Sequence, residues 1–247
     1  MKHEAEWVPT KYATRGGHLH AGPEARGAVW LIAELVAEGY ERLLSEHARG
    51  RLVDLGCGRV PLYGAYRARV ASVTCVDWSE SAHGGRHLDV TTDLGERLPF
   101  EDGAFDTVIL SDVLEHLARP DVLLGEIARV LAPGGRLIGN TPFLYWLHEQ
   151  PHDHFRYTEH ALRLLARAAG LEPLLVEPFG GGLEVVTDVL AKHAAVVPLV
   201  GRPLAEVLGR GVHLLTRSGV ARRALAASRQ RFPLGYFFVA ERVGRTE

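Results

Sequence analysis

The sequence predicts an α/β protein built on a mostly parallel sheet. Short, continuously apolar, β-branched runs alternate with segments whose apolar residues recur at helical spacing, the pattern of strands covered by helices. Several of these runs stop at a glycine turn or an acid. A chain of 247 residues, 47% of them hydrophobic, can bury one large core, so a single domain with an elaboration is expected.

The elements follow in order. Glu24 to about His47 reads as a helix, with Trp30, Leu31, Leu35, Leu43 and Leu44 near helical spacing, covering the sheet or capping a site. Arg51–Leu55 is a buried strand that breaks into Gly56-Cys57-Gly58, where glycines let the backbone turn sharply and approach a ligand. No phosphate-loop lysine follows, and Pro61 occupies the place of the third glycine of a dinucleotide fingerprint, so both phosphate patterns fail. Pro61 instead suits the start of a helix. Ser72–Asp77 is a second strand ending in an acid, the place from which a carboxylate accepts from both ribose hydroxyls in an α/β nucleoside site. Trp78 follows it, as a ring for an adenine face or as a core residue beside a strand end. A third strand ends near Asp93-Leu94. Leu98-Pro99-Phe100 and an Asp102-Gly103 turn lead to the strand Phe105–Leu110.

Pro120–Leu131 is the next helix, ended by Pro133-Gly134-Gly135. Arg136–Asn140 makes a fifth strand, Thr158–Ala169 a helix with Thr158 as cap and Gly170 as stop, and Leu171–Val176 a sixth strand. Gly235–Ala240 is the last strand.

At these residues the chain resembles the class I S-adenosylmethionine-dependent methyltransferases of the small-molecule type. The matching pieces are Asp54-Leu55-Gly56-Cys57-Gly58, Asp77, Asp93 ahead of Leu98-Pro99-Phe100, Phe105-Asp106, Val113-Leu114-Glu115-His116-Leu117 and Arg129 to Gly135, spread over about residues 50 to 180. The resemblance implies a Rossmann-like, seven-stranded, mostly parallel sheet with helices on both faces, its last strand antiparallel between strands five and six. It implies S-adenosyl-L-methionine as cofactor, with Gly56, Cys57 and Gly58 at the methionine end. Asp77 would hold the ribose, with Trp78 beside it, and Asp93 and Leu94 would meet the adenine. Asp54 would support the turn and approach the cofactor amine, and Ser111 and Asp112 would lie beside the methionine group. The chain departs from the family between Trp78 and Thr92, a stretch too short for a crossover helix plus a strand. The second helix is therefore read as vestigial, and Asp89 competes with Asp93 for the adenine.

Domain organisation follows as an N-terminal helical cap (1–48), a cofactor-binding core (49–178), a helical insertion (179–232) and the final strand (233–242), all in one methyltransferase domain, 1–247. The insertion stands where a short hairpin would suffice. Leu204, Val207, Leu208, Val212 and Leu215 fall on one helical face of it, with Glu206, Arg210 and His213 elsewhere. Such a stripe can lid the substrate, form a homodimer, rest on an anionic membrane surface or simply pack on the sheet. From Lys192 to Arg231 the chain carries eight basic residues against one acid, within a chain of net charge −2. No comparable basic run lies near the glycine turn, so nucleic acid is not favoured as substrate. Arginine outnumbers lysine 25 to 3, which reflects coding bias more than phosphate recognition. The N-terminus lacks an apolar signal core and no run is long enough to span a bilayer, so a cytoplasmic location is expected. Two cysteines, Cys57 and Cys75, make neither a disulfide framework nor a zinc pattern.

Substrate chemistry is expected after strand five, where loops overhang the carboxyl edge of an open α/β sheet. Tyr145 to Tyr157 holds His148, His152 and His154, two acids, Arg156 and a run of aromatics. Tyr145, Trp146, Arg156 and Tyr157, with Tyr12 from an N-terminal flap that also carries His18 and His20, are the candidate substrate contacts. Methyl transfer needs little beyond alignment, but a hydroxyl acceptor must lose a proton. His152 or His154 is the first candidate base, with His148 and His116 next. Pro151 interrupts any helix that would pair His148 with His152, and no His-Glu-x-x-His pattern exists, so no metal is assigned. The expected function is methylation of a small molecule, favouring oxygen, in a natural-product or glycan pathway. The alternatives are a cofactor-binding enzyme of non-methylating chemistry, such as cyclisation, and a non-catalytic cofactor-binding partner subunit.

Overall fold

The computed structural model describes residues 1–79 and 85–244. The chain opens on a β-hairpin, β1 (Tyr12–Arg15) and β2 (His18–Ala21), turned by Gly16 and Gly17 at φ of 58° and 84°. Two consecutive positive φ values match the twist of a two-residue hairpin, and glycine supplies them without strain. The first helix, α1 (Trp30–His47), begins later than Glu24 because Gly27 at φ 63° and a 3-10 turn over Gly27–Val29 precede it.

The core then alternates as expected. It runs β3 (Arg51–Leu55), a one-turn α2 (Tyr63–Tyr66), β4 (Ser72–Asp77), β5 (Val90–Thr91), β6 (Phe105–Ser111), α3 (Pro120–Val130), β7 (Leu131–Pro142), α4 (Glu159–Ala168) and β8 (Leu171–Phe179). Four helices follow, α5 (Gly182–Ala194), α6 (Gly201–Arg217), α7 (Gly219–Ala224) and α8 (Ala226–Arg231), before β9 (Gly235–Arg242). The helix begun near Pro61 is thus a single turn. No helix forms over the described residues between β4 and β5, and residues 80–84 of that connection lie outside the described part. β7 is longer than expected, because the chain re-enters the sheet at Leu131 and absorbs Pro133-Gly134-Gly135 in a register shift opposite Phe105 and Thr107.

Seven strands form one sheet in the order β5-β4-β3-β6-β7-β9-β8. The pairs from β5 to β7 are parallel, and β9 is antiparallel to both β7 and β8. Successive side chains leave opposite faces. Ile109, Ile138, Phe237 and Val239 join Tyr40, Leu43 and Leu44 of α1, while Val108, Leu110, Leu137 and Phe238 join Leu123 and Ile127 of α3 and Leu162 of α4. Each such buried side chain contributes about 1.5–3 kcal/mol of transfer free energy. Gly39 lets α1 sit close, since a Cβ there would stand 2.2 Å from the Phe237 ring.

Within the insertion, α6 packs on α5 and α1 rather than on the sheet. The face of α6 that is buried carries Gly201, Ala205, Gly209, His213 and Thr216, while of the expected stripe Leu204, Val207 and Leu215 point outward and Leu208 and Val212 are half-buried. Small residues let α6 lie against α1, where a Cβ on Gly209 would be 3.3 Å from Leu31. Packing onto the sheet is therefore not what the stripe does.

Candidate active site

The reversal of strand order between β3 and β6 opens a crevice at the carboxyl edge of the sheet. On one side of it the N–H groups of Gly56 and Cys57 both donate to the Val76 carbonyl, at 2.8 and 3.1 Å, which ties the glycine turn to β4. Gly56 has φ 69°, and a Cβ there would meet Val113 at 2.5 Å. Asp77 is buried, with Gly58 N–H donating to Oδ2 at 3.0 Å and Trp78 N–H to Oδ1 at 2.9 Å. A carboxylate oxygen has two lone-pair directions, so both can accept further donors. Trp78 is 36% exposed beside it.

Asp54 is buried behind the turn, where Tyr66 Oη donates to Oδ2 at 2.8 Å. Burial pushes its carboxyl up to about 7 against the opposing Tyr66 bond, and nearby Asp77 adds to the rise. Asp89 is spent on structure: Oδ2 accepts from Cys75 N–H at 2.8 Å and lies 3.1 Å from the Met1 ammonium. Asp93 is exposed, with one oxygen taking the Gly95 N–H at 2.7 Å, and Leu94 is buried beneath it.

Across the crevice, Ser111 ends β6 and Asp112 follows it. Asp112 has φ 52° and its Oδ2 accepts from Lys11 Nζ at 3.1 Å, which draws the segment before the N-terminal hairpin over the site. Asn140 of β7 donates to Asp112 Oδ1, while its own Oδ1 accepts from Ser111 Oγ at 3.0 Å and from Tyr40 Oη at 2.7 Å. Tyr12 is buried with no hydrogen-bond partner for its hydroxyl, and burial pushes that hydroxyl up to about 12.

Residue 141 continues into a second group. Thr141 Oγ1 donates to Glu115 Oε2 at 3.2 Å, and Glu115 is fully buried. Its Oε1 has no hydrogen-bond partner and lies 3.8 Å from Nε2 of both His116 and His148. Burial, reinforced by Asp112, holds the Glu115 carboxyl well above the usual range, and burial lowers His116. Tyr157 turns into the core, its hydroxyl donating to Leu114 O at 3.1 Å, and Arg156 is engaged by Asp153 and the Trp146 carbonyl. Arg156 in turn holds the Asp153 carboxyl far below the usual range. The backbone N–H groups of His154 and Phe155 donate to Glu115 O at 2.9 and 3.2 Å, so the loop is pinned over that residue.

Of the sequence-selected histidines, His148 and His116 come together, their ring centroids 4.8 Å apart. His152 and His154 stay on the exposed rim, His152 with its ring edge-on to Trp78 at 5.5 Å. Tyr145 and Trp146 lie under the Lys192 ammonium of α5, at 3.7 and 4.8 Å from the ring centroids, so the insertion holds the loop from behind. Sequence reasoning assigned no role to Lys11, Tyr40, Glu115, Asn140, Thr141 or Lys192. Two carried a signal: Asn140 ends an apolar strand, and Glu115 interrupts the apolar run from Val113 to Leu117.

Residues 53–139 match a family described as a methyltransferase domain. A ubiquinone/menaquinone biosynthesis C-methyltransferase of Rubrivivax gelatinosus is 34% identical over 113 residues, 43% of this chain and 45% of that protein. A ubiquinone biosynthesis O-methyltransferase of Dechloromonas aromatica is 29% identical over 153 residues, 50% of this chain and 65% of that one. The chain thus spans about half to two thirds of these curated relatives. Among solved structures, a geranyl diphosphate methyltransferase in complex with S-adenosylmethionine superposes with a TM-score of 0.55 at 20% identity, covering 87% of this chain and 90% of that one. The [4+2]-cyclase SpnF gives 0.55 at 21% identity, covering 96% and 88%. At these identities the two structures share the fold.

Proposed function

We propose, from the premise that the chain carries a class I S-adenosylmethionine-dependent methyltransferase domain with S-adenosyl-L-methionine as cofactor, that it methylates an oxygen of a small-molecule acceptor under the loop 143–157. The residues fit that cofactor. Asp77 keeps lone pairs for two ribose hydroxyls, the glycine turn presents backbone without Cβ, and Asp93 stands open where Asp89 is spent. Trp78 offers a partly exposed ring, Leu94 an apolar floor, and Ser111 with Asp112 a polar end for the amino-acid part. When bound, the cofactor supplies a methyl group on a sulfonium, already activated for in-line transfer.

The observation that carries the reading is the pair Asn140-Thr141. Consecutive residues of β7 hold Asp112 on the cofactor side and Glu115 on the histidine side, so the two groups form one continuous site. An acceptor hydroxyl placed there would be positioned by Tyr145 and Trp146 and give its proton to His152 or His154 on the rim. The relatives' roles in ubiquinone and menaquinone biosynthesis favour a ring-bearing biosynthetic intermediate over a macromolecule. The test is formation of S-adenosylhomocysteine with hydroxylated aromatic acceptors. His152→Ala and His154→Ala are each expected to slow turnover, and unchanged rates in both would reject the rim histidines as bases. Acceptor consumption without S-adenosylhomocysteine would identify the non-methylating chemistry shared in fold by the cyclase. Cofactor binding without turnover of any acceptor would leave a partner subunit.

The outward stripe of α6, interleaved with Arg202, Arg210 and Arg217, supports a peripheral contact with an anionic bilayer rather than a lid. Flotation with phosphatidylglycerol vesicles is expected to carry the protein upward. A concentration-dependent dimer in sizing, without flotation, would reject it. No helix among the described residues is long and apolar enough to cross a membrane.

A further inference from the structure

The group below the loop is built as a ligand set rather than as a hydrogen-bonded one. Glu115 Oε1 is buried and has no hydrogen-bond partner, although its other oxygen is fixed by Thr141. His116 Nδ1 lies 3.3 Å from the His152 carbonyl. A carbonyl can only accept, so Nδ1 carries the proton and Nε2 keeps its lone pair, which has no partner either. His148 Nδ1 lies 3.3 Å from Asp153 Oδ2 without a hydrogen bond to it, and His148 Nε2 lies 3.8 Å from the same Glu115 oxygen. Asp153 is itself locked by Arg156 and by the His148 N–H at 2.9 Å. His116 thus has an outer acceptor behind it and a free nitrogen in front, the arrangement by which proteins orient metal-binding histidines, and His148 has the Asp153 carboxylate 3.3 Å from its Nδ1.

The three donors all lie within 4.8 Å of one another, with 3.8 Å from the carboxylate to each imidazole. A tetrahedral ion about 2.1 Å from each would draw them to about 3.4 Å apart, a closure of roughly 0.4 Å for the carboxylate–imidazole pairs and up to about 1.4 Å for the widest pair. Two imidazoles and one carboxylate suit a borderline divalent ion and disfavour magnesium, which prefers oxygen ligands. We propose that Glu115, His116 and His148 bind one divalent transition-metal ion of the zinc class, leaving an open position toward the acceptor side of the loop. Glu149, whose carboxylate lies 3.8 Å from His116 Nε2, flanks that position. Resting on the methyltransferase reading above, the open position would take the acceptor's hydroxyl oxygen and lower its pKa, easing proton loss to the rim.

A second set of donors, Glu34, Glu38 and His213, also clusters among the described residues, but Glu34 already serves the Ala21 N–H and His20, each at 2.8 Å. The test is calorimetric titration of chelator-stripped protein with zinc chloride, with melting temperature and S-adenosylmethionine affinity measured on the same samples. One ion per chain at micromolar affinity or tighter is expected, with a rise in melting temperature. His148→Ala and the isosteric Glu115→Gln should weaken zinc binding at least tenfold and abolish the rise, while His213→Ala and the surface variant His160→Ala should leave it intact. No binding by wild type at 100-fold excess zinc, or undiminished binding by His148→Ala, would overturn the site. Retained S-adenosylmethionine affinity shows that a variant has folded. Loss of zinc without loss of that affinity separates this proposal from the methyltransferase reading, which fails only if the cofactor does not bind.

Discussion

Asp54 lies behind the glycine turn with one hydrogen bond, from Tyr66, and a carboxyl raised from 3.8 to about 7 by burial. An acid whose folded pKa is raised favours folding while protonated in both states, and that contribution drains away as pH rises from the unfolded to the folded value. Stability of the cofactor-free protein should therefore fall between about pH 4 and pH 7 by up to about 4 kcal/mol from this group, then level off. Asp54→Asn, which can still accept from Tyr66, removes that slope. Its melting temperature relative to wild type is expected to climb through this window and stay constant above it, and a pH-independent difference would refute the assignment. Single residues were legible where chemistry and position coincide. Asp77 ends a β-branched strand and Gly56 cannot carry a Cβ, so sequence alone points to both. Glu115 was only faintly legible: it interrupts an apolar run, but an acid there reads equally as a solvated position until its burial is known. Lys11 and Asp112, 101 residues apart, meet only through tertiary packing.

At the level of elements, the strands and the capped helix followed from local chemistry. Thr158 accepts from Ala161 N–H at 3.2 Å and Gly170 stops α4 at φ 80°, as the cap and stop residues imply. The N-terminal hairpin was less visible, since its Gly16-Gly17 turn is flanked by short polar strands without a strong alternation. α6 misleads for a different reason: hydrophobicity marks its outer face, while its contact face consists of small residues that allow close approach. The same principle operates where α1 crosses the sheet. Gly39→Ala would press a methyl into Phe237, and overpacking of this kind costs about 1–3 kcal/mol. Denaturant unfolding is expected to show a lower midpoint with unchanged slope, and an unaltered midpoint would mean that α1 shifts freely.

For the molecule as a whole, the order of the sheet matters more than any one contact. Among the described residues β8 pairs with β9 alone, and β7 relies on β9 for one of its two edges. A chain ending before residue 233 would thus keep β3 to β7 but leave two unpaired strand edges, which are templates for aggregation. Its expression should give mostly insoluble protein, while loss of residues 1–6, which belong to no strand, should not, and comparable soluble yields would contradict this dependence. The family architecture implied this arrangement, whereas the pattern of residues 235–240 by itself shows only a buried strand. Synthesis makes the consequence one of timing. While the ribosome translates α5 through α8, β8 has been made but lacks its pairing strand, and Phe237 and Phe238 have yet to arrive. β9 is made after both strands it joins, so closure of this part of the sheet waits until the insertion has been synthesised, and that interval is when the chain most needs a chaperone's protection.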